Sequence, residues 1–296
     1  MRKKKRREDN YLKLIYLLLA VIAIETVFLV SSCERRAKND SLPIRQAVKE
    51  EKKPKKVIPK KQPSYKIAIV LDDWGYNLKN LGVLKQIKEP LTLAILPRRA
   101  FSLAVAKAVQ ELNQEAILHL PLEPRQWLGL YEAQPRPSGQ EKDGRLEPET
   151  ILVGMDKQEV FRILDADIKS VPGIKGVSNH MGSRATENAA LMGIILAELK
   201  RRGLYFLDSL TGKTVCKGLA EKMGLPYERR QVFLDNKSDE KYILSQFELL
   251  AKIAKQRGSA IGIGHDRPKT LEVLVKAIPE FKKRGFQFVF VSELVQ

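Results

Sequence analysis

Cysteine is almost missing from this chain: Cys33 and Cys216 are the two in 296 residues. Two cysteines so far apart offer neither a disulfide framework nor zinc-knuckle spacing. Histidine is nearly as scarce, with three, and tryptophan has two, so where these residues fall carries information. Aromatics make up 7% of the chain and no stretch interleaves them with basic residues. A single-strand nucleic-acid groove needs that interleaving. Acid is in deficit, 35 Asp+Glu against 53 Lys+Arg, for a net charge of +18. The surplus is uneven, however. Residues 1–65 hold 18 Lys/Arg against 7 Asp/Glu, and the remaining residues hold 35 against 28. Most of the excess lies outside the part patterned like a globular domain, so the charge identifies no nucleic-acid partner, and none is expected. No internal repeat is present.

Long hydrophobic runs are lacking with one exception, from Leu14 to Val30, interrupted by Glu25. It is long enough to cross a hydrocarbon core of about 30 Å as a slightly short helix. Arg2-Lys3-Lys4-Lys5-Arg6-Arg7 precedes it, and such clusters stay on the cytoplasmic side. Residues 1–33 are therefore expected to be a cytoplasmic basic tail with a transmembrane signal-anchor. A cleaved signal is one alternative. A lipoprotein signal ending in Val30-Ser31-Ser32-Cys33 is another, which Glu25 argues against. In each case the rest of the chain is membrane-associated or exported, on the extracytoplasmic side, in the periplasm or cell-wall space. Residues 34–64 are rich in lysine and carry Pro43, Pro54, Pro59 and Pro63. They cannot bury enough apolar surface to offset ordering, and read as a semi-extended linker.

From residue 65 to 296 the pattern changes. Short apolar runs occur at Ile67–Leu71, Leu91–Leu96, Ala116–Leu120, Gly176–Ser178, Leu204–Leu207, Gln231–Leu234, Ala260–Ile263 and Phe286–Val291. Amphipathic stretches separate most of them. Glu187–Arg202 ends before Gly203 and Ser238–Arg257 before Gly258, both suited to left-handed caps, while Asp156 with Glu159 resembles a capping box. Alternation of strand and helix implies an α/β fold with a mainly parallel sheet. Seven to eight strands predict a closed or nearly closed, distorted (β/α) barrel, with an open doubly wound sheet as the alternative. Residues 125–150, with Pro135, Pro137 and Pro148, break the rhythm as a long loop.

Active sites of parallel α/β folds lie at the carboxyl ends of strands. The polar residues following the runs are Asp72-Asp73, His119, Asn179-His180, Asp208-Ser209, Asp235 and His265-Asp266. All three histidines occupy such positions. His119, His180 and one aspartate make a two-histidine, one-carboxylate set of the kind that holds a divalent metal and leaves positions for water and substrate. Asp72 and Asp73 can line one pocket if the chain turns at the strand end. Thr211-Gly212-Lys213-Thr214 mimics the end of a phosphate loop, but its first glycine would fall at Leu207, and Asp208 would repel phosphate.

Five segments resemble the divergent polysaccharide deacetylase family, a distant branch of the NodB-type carbohydrate esterases. They are Val70-Leu71-Asp72-Asp73 with Gly75, His119-Leu120-Pro121-Leu122-Glu123-Pro124, Asn179-His180-Met181-Gly182-Ser183, Phe206-Leu207-Asp208-Ser209 and Gly262-Ile263-Gly264-His265. The resemblance covers residues 65–296 and implies a NodB-like barrel with a metal, most simply Zn²⁺, on an Asp-His-His set. It matches Asp72 to the catalytic base, Asp73 to the metal-binding aspartate and His265 to the general acid. Asp208 or Asp235 would orient His265, and Asn179, Ser183 and Ser209 would contact substrate or support the site. In the classical esterase pattern the metal-binding histidines stand four residues apart, whereas here Glu123 follows His119 at that distance and Arg184 follows His180. The second histidine must then come from another strand, or Glu123 must serve. The implied reaction is N-deacetylation of an amino-sugar polysaccharide or peptidoglycan-like glycan of the cell envelope. The alternative is a degenerate glycan-binding or scaffolding module, or an amidohydrolase of peptide stems. Trp74 and Trp127 are candidates for stacking on sugars, with core packing as the commoner fate.

Overall fold

The computed structural model describes residues 65–125 and 146–296. The basic cluster, the hydrophobic run, Cys33 and the linker lie outside these residues, as do Trp127 and most of the 125–150 loop. Among the described residues no helix is long and apolar enough to cross a membrane. The elements run β1 (Tyr65–Trp74), α1 (Leu81–Leu84), β2 (Thr92–Ile95), α2 (Ser102–Glu111), β3 (Glu115–Leu122), α3 (Lys157–Ser170), β4 (Gly176–Met181), α4 (Ala189–Arg201), β5 (Tyr205–Asp208), α5 (Cys216–Met223), β6 (Tyr227–Arg229), β7 (Val232–Phe233), α6 (Glu240–Arg257), β8 (Ser259–His265), α7 (Pro268–Lys283) and β9 (Phe286–Phe288). Each of the eight apolar runs overlaps a strand. The helix ends follow local chemistry. Asp156 caps α3 by accepting from the Glu159 amide, and Gly258 ends α6 at φ 86°. A side-chain N-cap of this kind stabilises by about 1 kcal/mol.

Every strand pairing is parallel, in the order β6-β5-β4-β3-β2-β1-β8-β7. One edge of β1 pairs with β8 from Lys66 to Asp72; its other edge pairs first with β9 and then, from Val70, with β2. Among the described residues the strands number nine, not seven to eight. The extra one, β6, reads Tyr-Glu-Arg, which no apolar pattern flags. The barrel is distorted, as expected, and its hydrogen-bonded ladder does not close. The ladder breaks at Arg230-Gln231, where one extended segment passes from β5 to β8 and no bonds join β6 to β7. The result is a parallel half-barrel.

Side chains alternate across each strand, and both faces are buried, which is why the strands read as unbroken apolar runs. Ile67, Ile69 and Leu71 face the helices with Leu118, Leu120 and Phe206. Ala68, Val70, Ile117, Leu207, Ile261 and Ile263 line the concave interior. The C-terminal segment fills that interior with Val289 and Val291, backed by Leu294 and Val295. Hydrogen bonds fix it at the amino ends of the strands. Glu115 Oε1 accepts from Thr92 Oγ1 (2.9 Å), Tyr205 Oη (2.8 Å) and the Ser292 amide (3.3 Å), and Thr92 Oγ1 accepts from the Val291 amide (3.1 Å).

Candidate metal centre and active site

The interior parity of β1, β3, β4 and β8 carries past the apolar residues to Asp72, His119, His180 and His265 at the carboxyl ends. Pairing brings them side by side: Asp72 opposes His265, and His119 opposes Ser178, two residues before His180. Asp73 should face away from Asp72. Its backbone, however, sits at φ 67°, and the β1–β2 register slips between Leu71 and Trp74. This turn lets Asp73 share the pocket. Met181 and Leu210 also adopt left-handed backbones, at 54° and 51°. Such conformations are costly for residues with a Cβ and concentrate at functional sites.

Asp73, His119 and His180 each offer a donor atom, all within 4.8 Å of one another. Asp73 Oδ1 stands 3.5 Å from His119 Nε2 and 3.2 Å from His180 Nδ1. Two donors about 2.0–2.1 Å from one tetrahedral Zn²⁺ stand about 3.4 Å apart, so the spacing fits. Asp73 Oδ1, the atom nearest both rings, is buried and accepts no hydrogen bond; Asp72 Oδ1 and His180 Nε2 are likewise unpartnered. Native proteins rarely leave buried polar atoms orphaned without reason. The residues present therefore fit a divalent cation. His119 Nδ1 lies 2.8 Å from Ser178 Oγ. A proton there, donated to Ser178, leaves Nε2 as the free lone pair on the cluster side.

Burial raises the Asp72 carboxyl above its ordinary value, against the opposing charges of His119 and His265. It acts on Asp73 too, but the close contacts with His119 and His180 outweigh it and hold that carboxyl well below the usual range. For His265, burial favours the neutral ring. The Asp235 hydrogen bond and the charges of Asp235, Asp73 and Asp72 overcome it and bring the pKa up to about 9. His265 Nδ1 donates to Asp235 Oδ1 at 2.7 Å. Asp235 Oδ2 accepts from the His265 amide (2.9 Å) and Thr270 Oγ1 (2.6 Å), so the carboxylate is fully engaged in holding the ring.

Other expected site residues take supporting places. Of the two carboxylates offered to His265, Asp235 is its partner and Asp208 is not. Leu207 faces the interior, so Asp208 faces the helices; it accepts from the Leu210 amide (2.8 Å) and Tyr227 Oη (3.2 Å). Glu123 also stands apart from the cluster. Its oxygens accept from the Val153 amide (2.7 Å) and Arg184 Nη1 (2.6 Å). Asn179 ties two strand-end loops together by donating to Met181 O and accepting from the Ser209 amide, both at 2.8 Å. Ser183 accepts from the Arg125 amide, and Ser209 Oγ is buried without a partner. Trp74 is wholly buried among the core residues, away from any role in stacking. Cys216 opens α5 inside the core, where burial pushes its thiol up to about 12. Sequence reasoning passed over Ser178 and Thr270. Ser178 was detectable by parity, being on the face of His180; nothing local marks Thr270.

A parallel half-barrel with this strand-end cluster defines a class, and comparison agrees: residues 69–295 match the divergent polysaccharide deacetylase family, and the chain belongs to it. Among relatives, the uncharacterized protein YibQ of Escherichia coli K12 is 33% identical over 214 residues, 72% of this chain. That match spans 62% of YibQ, less than two thirds of its length. An uncharacterized Haemophilus influenzae protein is 31% identical over 219 residues, 73% of this chain and 72% of its own. The crystal structure of an uncharacterized protein from Agrobacterium tumefaciens C58 superposes with a TM-score of 0.68 at 24% identity, covering 78% of this chain and 89% of that one, which establishes the shared fold.

Proposed function

We propose that the domain is a metal-dependent hydrolase that removes N-acetyl groups from an amino-sugar glycan of the cell envelope. The observation that carries this reading is the convergence of Asp73, His119 and His180 beside Asp72 and a carboxylate-held His265. Zinc suits the imidazole and carboxylate donors, and when bound it supplies Lewis acidity toward an acetamide carbonyl and toward water. Asp72 accepts the proton of the attacking water. His265, protonated because Asp235 holds it so, gives a proton from Nε2 to the departing amine. Asp72 and His265 are register partners on β1 and β8, which sets base and acid on adjoining strands. Asp235 and Thr270 fix the orientation of the acid, and Ser178 fixes that of His119. The basic cluster, the Leu14–Val30 run and the lysine-rich segment support a signal-anchor and tether that place residues 65–296 outside the cytoplasm.

The test is acetate release from N-acetylated envelope oligosaccharides by the full-length, zinc-loaded protein. Asp72→Asn and His265→Ala should each keep a full equivalent of zinc while turnover falls by about 10²–10⁴. Wild-type protein that binds zinc and glycan yet releases no acetate would instead be a binding module.

A further inference from the structure

Among the described residues one cation beside the site has no counter-ion. Arg230 lies at the break between β6 and β7, half-buried. Its Nε donates to Ser209 O (2.8 Å) and one Nη2 hydrogen goes to Leu210 O (2.9 Å). The guanidinium carbon stands 3.5 Å from the centre of the Phe233 ring, and that ring stacks on His265 at 6.1 Å and 20°. The side chain is therefore clamped along one edge and one face, one aromatic ring away from the group that would protonate the leaving amine.

Burial lowers the Arg230 pKa to about 10, against the fields of Asp72 and Asp208, so it remains a cation at neutral pH. Neither aspartate neutralises it by contact. Asp208 accepts from Leu210 and Tyr227, and Asp72 lies against His119. Among the described residues no carboxylate forms an ion pair with it. A guanidinium has five N–H donors. Two are used along the Nε–Nη2 edge, and of the three that remain one on each Nη faces the Nη1–Nη2 edge, the fork that fits a carboxylate with two parallel hydrogen bonds. A half-buried charge held rigid without a partner carries a desolvation cost, which an anion supplied by a ligand would offset. A singly charged, planar anion also suits a pocket that already holds Asp72 and Asp73 better than a doubly charged phosphate does.

We propose that Arg230, braced on Phe233, reads a carboxylate carried by the substrate, so that the glycan is an acidic one bearing both N-acetyl and carboxylate groups. This rests on the deacetylase reading above and narrows its substrate class. The experiment uses the zinc-loaded, full-length Asp72→Asn protein, which binds without turning over, in calorimetric titrations. The probes are an N-acetylglucosamine tetrasaccharide, a tetrasaccharide alternating N-acetylglucosamine with glucuronic acid, and the methyl ester of the second. The acidic oligomer should bind at least about tenfold tighter than either uncharged probe, the usual scale of a charge-assisted contact. Adding Arg230→Met should abolish that preference while leaving the affinity for the neutral probe within about twofold. Equal binding of acid and ester, failure of the acidic oligomer to bind, or a preference that survives Arg230→Met would each overturn the proposal. The acid–ester comparison stands even if Arg230→Met does not fold. Acetate release is measured separately on the wild type, so discrimination without acetate sinks the deacetylase reading, and acetate without discrimination sinks this one.

Discussion

The two ends of the half-barrel hold the same kind of group in opposite states. At the amino ends of the strands the buried carboxylate of Glu115 receives three hydrogen bonds and fixes the C-terminal segment. At the carboxyl ends the buried carboxylates Asp72 and Asp73 each keep an oxygen with no partner. A saturated carboxylate contributes to stability; an unsaturated one costs stability unless a ligand completes it. The difference separates the end that holds the fold from the end equipped for chemistry.

Four substitutions or titrations break or sharpen that contrast. The largest effect belongs to the carboxyl end. Asp73→Asn or His119→Ala should abolish stoichiometric zinc by elemental analysis and reduce acetate release to background, with the apoprotein's melting temperature nearly unchanged. Full zinc retention by His119→Ala would return Glu123 to consideration as a ligand. At the amino end the pattern reverses: Glu115→Ala strands three donors and should cost about 2–4 kcal/mol in denaturant unfolding, while turnover of the folded fraction holds. Smaller is Ser178→Ala, expected to weaken zinc affinity by about 10–100-fold without removing a ligand; competition with a chelator measures it, and Ser178→Thr should restore part of the loss. The fourth is a pH effect on the zinc-free protein. The His265 pKa rises to about 9 on folding from an ordinary 6.5, so folding tightens its proton. The stability this adds is complete below about pH 6.5 and is lost as pH climbs through about 9. Chemical unfolding across that range should show the decline in the wild type and not in Asp235→Asn.

What the sequence disclosed followed from periodicity. Strands buried on both faces leave apolar runs, so eight were visible, whereas Tyr227–Arg229 bonds to β5 through its backbone and leaves no such trace. The three histidines were conspicuous because each lies within two residues of the end of a run. Counting parity would have separated Asp208, whose neighbour Leu207 takes the inside position, from Asp235. It would have misplaced Asp73, which reaches the pocket through a left-handed residue and a register slip that no residue type announces. Contacts between distant segments, such as Glu115 with Ser292 or Asp235 with Thr270, depend on the finished topology and have no local signature.

The three neighbours of β1 also govern how the chain must fold. This first strand takes one long partner, β8, and a second, β9, from the far end of the polypeptide. Contacts between segments so distant in sequence demand loop closure before they repay it, and slow the search. During synthesis β1 emerges before β8 and β9 and waits, its backbone edges unpaired and its apolar faces uncovered, until they arrive. Shielding of Ile67–Leu71 in that interval would decide the yield of folded protein.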